Sequence, residues 1–240
     1  MCSYFEHNVN INSVNMRLLI VPARSGSKRI KDKNIRVLNN YPMLVHSLKI
    51  AKKAKLFDKI HLSTDSEKYI KIAKKFGFQT DFKRNKKFCR DKTPVLDAVK
   101  SDLIKFKKLG YKFQEICILS STSPLINYKD LLNSRKIFLK FKKKFPVISV
   151  SKYQTKIERA LKMINGKLVF KKKKYIKKNT QSFSDSYFAT GNIFYYDSTK
   201  LLNNSNYNFK YLPYIIDTLR AIDIDDEVDL NLTKKIYRLL

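Results

Sequence analysis

Two arginines, a lysine and two serines lie within residues 24–29, directly after a short apolar run. The run at 18–21 is partly β-branched, which predicts a buried strand, and it ends at Pro22. The residues that follow are Ala23, Arg24, Ser25, Gly26, Ser27, Lys28 and Arg29. Backbone N–H groups, hydroxyls and fixed cations suit a phosphate-bearing ligand, and open α/β sheets bind ligands at the carboxyl ends of their strands. The sequence therefore predicts a phosphate-binding loop at this position.

Two common phosphate loops do not match this segment. The Walker loop needs G-x-x-x-x-G-K-[ST], whereas Gly26 is the only glycine before Ser27-Lys28 at a usable spacing. The dinucleotide fingerprint needs G-x-G-x-x-G, and Gly26 has no second glycine to complete it. The pattern is instead A-R-x-G-S-K at 23–28 with Lys33-Asn34 five residues later. A surface loop with incidental basic residues is the alternative interpretation.

Acidic residues form a second cluster near the C-terminus, in the sequence A-I-D-I-D-D-E at 221–227. If a strand runs into this segment, Asp223 and Asp225 share one face while the isoleucines beside them point into the core. Two adjacent carboxylates repel unless a cation lies between them, and Mg²⁺ binds such a pair with water and phosphate completing its shell. The alternative is a helix cap, which accounts for Asp226 and Asp229 but not for the other two acids.

Helical and strand patterns alternate along most of the chain. Predicted helices span 42–57, 66–76, 94–109, 128–141 and 227–239. Predicted strands span 18–21, 59–64, 78–83, 115–119, 145–150, 191–196 and 214–225. This alternation predicts an α/β fold with a mostly parallel sheet and helices on both faces.

The alternation breaks between Ser151 and Tyr187. Asn165-Gly166 is a hairpin signal between two apolar-rich runs, 161–164 and 167–170. A lone hairpin is at best marginally stable in water, so its apolar residues need a covering surface. That surface is either the hairpin's own domain or a second subunit.

Composition limits the class of protein. The 240 residues, 43% of them hydrophobic, suit one α/β domain with a sizeable core, and no run approaches the length of a membrane span. A formal net charge of +31 raises nucleic-acid binding as an alternative. However, 41 of the 51 basic residues are lysines, whereas base readout and bidentate phosphate contacts favour arginine. We therefore expect no nucleic-acid or membrane partner.

Cysteine usage and the first residues bear on the compartment. Cys2, Cys89 and Cys117 are far apart and form no C-x-x-C motif, so neither a zinc site nor a disulfide framework is supported. This usage fits the reducing cytoplasm. Residues 1–15 are polar and lack the apolar core of a signal peptide. We expect them to be a disordered extension, with one domain at 16–240.

The loop at 23–28 with Lys33-Asn34, together with the D-I-D at 223–225, resembles the signature of cytidylyltransferases that activate acidic sugars. This is the CMP-sialic acid synthetase family, with its pseudaminic and legionaminic acid members. Further matches lie in order between the two motifs: L-S-T-D at 62–65, Arg84, D-K-T at 91–93 and T-S-P-L at 122–125. The resemblance covers nearly the whole chain from Met16 onward.

The resemblance implies a three-layer α/β/α nucleotidyltransferase fold and a CTP-dependent cytidylyltransferase. Its product would be the CMP-sugar of a nine-carbon acidic sugar (sialic, pseudaminic or legionaminic acid), with release of pyrophosphate. The implied CTP-binding residues are Ala23, Arg24, Ser25, Gly26, Ser27, Lys28, Asn34 and Arg84. The implied catalytic residues are Arg24, Lys28, Lys33 and Asp225. Mg²⁺ would be held by Asp223 and Asp225.

The sugar-facing part of the resemblance is less complete. Where the sialic acid branch has a Gln before P-T-S-P-L and an Arg after it, this chain has Ser120-Ser121 and Ile126. Arg159 and Gln181 are candidate sugar-binding residues, with ordinary surface polar residues as the alternative. A CMP-Kdo-type synthetase or another sugar nucleotidyltransferase stays open. The resemblance also favours a homodimer through the excursion at 151–187, which can bring residues of one chain to the sugar pocket of the other.

Overall fold

The computed structural model describes residues 16–239. The strands in this part of the chain are β1 (Met16–Pro22), β2 (Val37–Leu38), β3 (Tyr41–Pro42), β4 (Lys59–Ser63), β5 (Phe113–Leu119), β6 (Val147–Lys152), β7 (Leu161–Ile164), β8 (Lys167–Phe170), β9 (Tyr187–Asp197) and β10 (Leu212–Ile215). The α-helices are α1 (Met43–Ala54), α2 (Glu67–Lys75), α3 (Val95–Lys108), α4 (Tyr128–Lys140), α5 (Ser198–Asn203) and α6 (Glu227–Tyr237). The extension expected at 1–15 lies outside the described residues. Over the part described, every helix is too short or too polar to cross a bilayer.

Six strands form one sheet in the order β10-β6-β9-β5-β1-β4. Strand β1 pairs in parallel with β4 and β5, and β6 pairs in parallel with β10. Strand β9 is antiparallel to both β5 and β6. An antiparallel neighbour needs no helical crossover, so β6 and β9 are joined directly by the predicted excursion. The prediction of a mostly parallel sheet is confirmed.

Helices cover both faces of this sheet because strand side chains alternate between the faces. Leu19 lies in a buried cluster with residues of α1 and α4, including Leu48 and Phe138. Its neighbour Leu18 points the other way and joins a cluster with α3 and α5 that includes Phe106. The three-layer α/β/α arrangement follows, and it presents the carboxyl ends of β1, β4 and β5 at one edge.

The prediction of a strand at 78–83 is wrong. This segment is irregular and β4 stays at the edge of the sheet. Side chains hold the segment instead of a backbone ladder: Asp81 binds Lys59 and lies 3.2 Å from Nδ1 of His61. Phe82 packs its ring against the His61 and Phe106 rings. These side-chain contacts hold the segment against the domain without backbone pairing to β4.

The prediction of a strand over 214–225 is wrong at its C-terminal end. Strand β10 ends at Ile215, a 3-10 turn follows at Thr218–Arg220, and 221–225 is irregular. The Arg220 guanidinium donates to the carbonyl of Leu125 at 3.1 Å and to the Asp130 carboxylate. These bonds draw the chain away from the sheet and towards the connection between β5 and α4.

The hairpin predicted inside the excursion is confirmed. Strands β7 and β8 pair with each other in a separate two-stranded sheet. Asn165 and Gly166 form the turn with φ of 48° and 74°, the positive values that a two-residue hairpin turn of this type requires. The pairing places Leu161, Met163, Leu168 and Phe170 on one face.

Candidate functional site

A pocket of about 590 Å³ opens at the carboxyl edge of the sheet. Its walls come from the loop after β1, the segment before α3, the turn after β5 and the segment before α6. Of the predicted site residues, those that line it are Arg24, Ser27, Lys28, Lys33, Asn34, Arg84, Asp223 and Asp225. The fold therefore brings together predicted site residues that lie up to 201 positions apart in the chain, from Arg24 to Asp225.

Three predicted CTP-binding residues, Ala23, Ser25 and Gly26, do not line the pocket but shape its first loop. The N–H of Ala23 continues the strand ladder by donating to the carbonyl of Ser63 at 2.9 Å. Ser25 donates from both its N–H and its hydroxyl to the carboxylate of Asp65, at 2.9 and 2.7 Å. A Cβ at Gly26 would lie 3.3 Å from the Arg24 guanidinium. Asp65 thus fixes the conformation of the loop. The L-S-T-D match pointed to Asp65 but assigned no role to it.

Asn34 joins the loop to the turn after β5. It is buried, and its amide nitrogen donates to the carbonyl of Arg24 at 2.9 Å. Its amide oxygen accepts from the Ser121 hydroxyl at 2.7 Å. Because both ends of the amide are used, Asn34 holds two walls of the pocket at a set separation.

A carboxylate of the protein itself, that of Asp91, lies between two of the pocket's cations. Asp91 accepts from Nη1 of Arg24 and pairs with Nζ of Lys28, each at 2.5 Å. The Lys28 and Arg24 side chains together lower the pKa of Asp91. The sequence pattern D-K-T pointed to Asp91, but its pairing with the loop was not predicted. Two cations converging on one anionic group form the geometry that a phosphate also requires.

Asp223 and Asp225 both line the pocket, although not by strand alternation as predicted. Asp225 pairs with Arg29 at 2.8 Å and lies 3.5 Å from Nζ of Lys33. Asp223 has no hydrogen-bond or ion-pair partner anywhere in residues 16–239. Enclosure by the pocket walls, reinforced by the charge of Asp225, raises the pKa of Asp223. Asp225 is thus ion-paired within the protein, whereas Asp223 has no direct partner in residues 16–239 and the charges of Lys33 and Arg29 only partly oppose the rise of its pKa.

The helix-cap interpretation is confirmed for the two acids to which it applied. Asp226 accepts from the N–H groups of Val228 and Asp229, and the Asp229 carboxylate accepts from the N–H of Asp226. This reciprocal cap begins α6. It also fixes the chain direction at Asp225, whose N–H donates to Asp229 at 2.9 Å.

The two candidate sugar-binding residues lie in the excursion, away from this pocket. Arg159 donates to the carbonyls of Ile176 and Lys178, at 3.1 and 2.5 Å. Gln181 belongs to a 3-10 turn at Thr180–Ser182. Within the single chain they are not brought to the other site residues, so their role stays a prediction.

The fold and this pocket define a class of protein. A three-layer α/β/α domain with a cationic loop at the carboxyl edge of its sheet, facing a pair of acids, has the charges and the shape that nucleotidyl transfer needs. The solved structure of a CMP:2-keto-3-deoxy-manno-octonic acid synthetase in complex with CTP superposes with a TM-score of 0.72 at 13% identity, covering 94% of this chain and 99% of that one. The 4-diphosphocytidyl-2C-methyl-D-erythritol synthase of Anaerococcus prevotii gives 0.62 at 14% identity, covering 93% and 99%.

The profile of the cytidylyltransferase family matches residues 18–238, and the chain belongs to that family. It is 28% identical to a pseudaminic acid cytidylyltransferase of Campylobacter jejuni over 92% of this chain and 96% of that protein. It is 27% identical to a CMP-N,N'-diacetyllegionaminic acid synthase of Legionella pneumophila, over 93% and 97%. An N-acylneuraminate cytidylyltransferase of Escherichia coli is 29% identical over 90% of this chain and 50% of its own length.

Proposed function

We propose that this protein uses CTP to activate a nine-carbon acidic sugar, forming the CMP-sugar and releasing pyrophosphate. The names of the relatives supply the substrate class: pseudaminic, legionaminic and N-acylneuraminic acids. The observation that carries the proposal is the pocket itself, which combines the cations of the first loop with Asp223 and Asp225 at the carboxyl edge of the sheet. We also propose that the protein acts in the cytoplasm and has no nucleic-acid partner.

The chemistry proposed for the pocket is nucleotidyl transfer. The anomeric hydroxyl of the sugar attacks the α-phosphorus of CTP, the bond to the pyrophosphate oxygen breaks, and the hydroxyl proton passes to water or a pocket carboxylate. Arg24, Lys28 and Arg84 would bind the phosphates and stabilise the charge that develops on the leaving group. Lys33 would approach the α-phosphate. Because Asp91 already holds Arg24 and Lys28, phosphate would have to displace it.

Mg²⁺ is the cofactor we propose at Asp223 and Asp225. The donor set fits, because carboxylate oxygens suit this ion and Asp223 has no partner within the described part of the chain. No cluster of three or more His, Cys, Asp or Glu side chains that could hold a metal is found in residues 16–239. An ion at this pair would therefore complete its shell with water and phosphate. When bound, it would neutralise negative charge on the phosphate oxygens.

A homodimer through the excursion is also part of the proposal. One face of the β7–β8 hairpin is apolar and solvent-exposed, with Met163 70% and Leu168 61% accessible. Neither strand joins the main sheet, so the chain's own domain does not supply the cover that the hairpin needs. A second copy of the hairpin region would bury this face. The same contact would carry Arg159 and Gln181 towards the partner's sugar pocket.

Pyrophosphate release tests the function directly. Each of CTP, ATP, GTP and UTP is incubated with the protein, Mg²⁺ and one acidic sugar from a panel of pseudaminic, legionaminic, sialic and 3-deoxy-manno-octulosonic acids. We expect release with CTP and at least one nine-carbon sugar. Release with only the eight-carbon sugar would favour the CMP-Kdo alternative. No turnover, together with salt-dependent retention on DNA, would favour nucleic-acid binding.

A further inference from the structure

Arg84 is buried, which distinguishes it from the other cations proposed to bind phosphate. Only 5% of the residue is exposed, whereas 81% of the Lys28 side chain is accessible to solvent. Arg84 lines the pocket, and no ion pair to it is present in the described part of the chain. Burial lowers the pKa of Arg84, and the charge of Asp102 acts against this shift. A buried cation at a pocket wall needs a structure that fixes it and offsets its charge.

Ser63 supplies the first part of that structure. It is the last residue of β4 and is fully buried. Its hydroxyl oxygen accepts from Nε of Arg84 at 2.9 Å, and its carbonyl accepts from Nη2 at 2.8 Å. One edge of the guanidinium is therefore bound to a single strand residue. Nη1 is left without a protein partner among residues 16–239.

Asp102 on α3 supplies the second part. It is fully buried, and its Oδ2 accepts the proton of the Ser63 hydroxyl. The direction of this chain is fixed, because Nε of an arginine can only donate, and the single hydroxyl proton of Ser63 then goes to Asp102. Burial raises the pKa of Asp102, and the Ser63 bond and the charges of His61 and Arg84 oppose this shift.

We propose that Ser63 and Asp102 are positioning residues for the nucleotide: they hold Arg84 so that Nη1 donates to a phosphate oxygen of CTP. This inference rests on the proposed function. The side chain is held before the ligand arrives, so binding does not have to order it. Asp102 contributes negative charge one residue removed from the guanidinium, where it offsets the charge of Arg84 without occupying the phosphate position. Asp91, by contrast, contacts Arg24 and Lys28 directly, and the phosphate would have to displace it.

A double-mutant cycle tests the proposal. Ser63→Ala and Asp102→Asn are each made in the full chain and in an Arg84→Ala background, and CTP binding is measured by calorimetric titration. Ser134→Ala is the matched control, because Ser134 is equally buried, its hydroxyl binds carbonyls of its own helix, and it does not line the pocket. Thermal unfolding of every variant is recorded beside the titration.

We expect Ser63→Ala and Asp102→Asn each to weaken CTP binding about tenfold, as for loss of a hydrogen bond to a charged group. In the Arg84→Ala background the same changes should weaken binding by less than about twofold, because the group they position is gone. Ser134→Ala should leave CTP binding unchanged. The KM for CTP should rise in parallel with the dissociation constant.

Two results overturn the inference. One is CTP binding equal to wild type in Ser63→Ala and Asp102→Asn. The other is a loss that persists in full in the Arg84→Ala background, which would show a general structural role. If Asp102→Asn does not fold, Ser63→Ala decides alone. Failure of the proposed function is a separate result, in which the wild-type chain itself neither binds CTP nor releases pyrophosphate.

Discussion

Asp223 and Asp225 are two residues apart and face one pocket, yet their surroundings differ. Asp225 is paired with Arg29 and Lys33. Asp223 has no partner within residues 16–239, and its pKa is raised by enclosure and by the charge of Asp225. The Mg²⁺ ion proposed at this pair would act against both causes and lower the pKa of Asp223.

Asp223→Asn and Asp225→Asn should each reduce turnover by about 10²-fold or more, because each removes a charge that would hold Mg²⁺ opposite the developing negative charge. The measurement is pyrophosphate release across a Mg²⁺ titration. Asp226→Asn is the control, since asparagine also caps helices well and Asp226 does not line the pocket. Near-normal rates in either pocket variant at limiting Mg²⁺ would refute the metal assignment.

At the scale of elements, a buried ion pair joins β5 to α4. The Glu115 carboxylate is 6% exposed and binds Arg135 through two bonds, of 2.7 and 3.1 Å. Lys143 lies 2.7 Å from the same carboxylate. Burial alone would raise the pKa of Glu115, but these two cations outweigh it and the pKa is lowered.

Glu115→Gln should lower the free energy of unfolding by about 3 kcal/mol at pH 7, because it leaves two cations without their buried partner. Since the folded pKa lies below the unfolded value, the stabilisation is complete above the unfolded pKa and is lost as pH falls through the folded one. The difference from wild type should therefore shrink below about pH 4. Urea unfolding of wild type and Glu115→Gln, at pH 7 and below about pH 4, measures this difference in the free energy of unfolding.

Asp58→Asn is the matched control for that pair. Asp58 binds Arg17, but its side chain is 37% exposed, so solvent screens the interaction. We expect a loss of no more than about 1 kcal/mol. Equal losses of unfolding free energy in Glu115→Gln and Asp58→Asn would show that burial does not make the Glu115 ion pair more stabilising.

The apolar face of the hairpin gives a second prediction at this scale. Met163→Glu with Leu168→Glu places charge in the proposed interface and should convert a dimer to a 28.3 kDa monomer in sedimentation equilibrium. Ile104→Glu is the control, because Ile104 is also exposed but lies on α3. A wild-type chain that sediments as a monomer at micromolar concentration, with full activity, would remove the interface and the shared pocket.

At the scale of the whole molecule, the formal net charge of +31 sets up repulsion across the surface. Raising NaCl from 0.01 to 0.3 M shortens the screening length from about 30 Å to under 10 Å. The unfolding temperature should therefore rise by on the order of 5 °C. KCl at the same ionic strength should give the same rise. An unfolding temperature that stays constant or falls with added salt would show that the charges of the lysines are already compensated within the folded protein.

The sequence by itself determined the features that depend on neighbouring residues. The loop at 23–28 and the Asn165-Gly166 turn were predicted because their residue types suit those local conformations. Apolar periodicity likewise predicted most strands and five of the six α-helices in residues 16–239, but not the short helix α5. The pairing of Asp226 with Asp229 was predicted because a helix cap joins residues three apart.

Only the tertiary structure decided the features that depend on distant contacts. The segment at 78–83 has the composition of a strand, yet Asp81 and Phe82 bind side chains of other elements and the ladder does not form. Asp223 reaches the pocket because Arg220 ties its segment to the β5–α4 connection. The chain from Asp102 through Ser63 to Arg84 joins α3, β4 and an irregular segment, and no local pattern encodes it, because its residues are 21 and 39 positions apart and meet only in the folded chain.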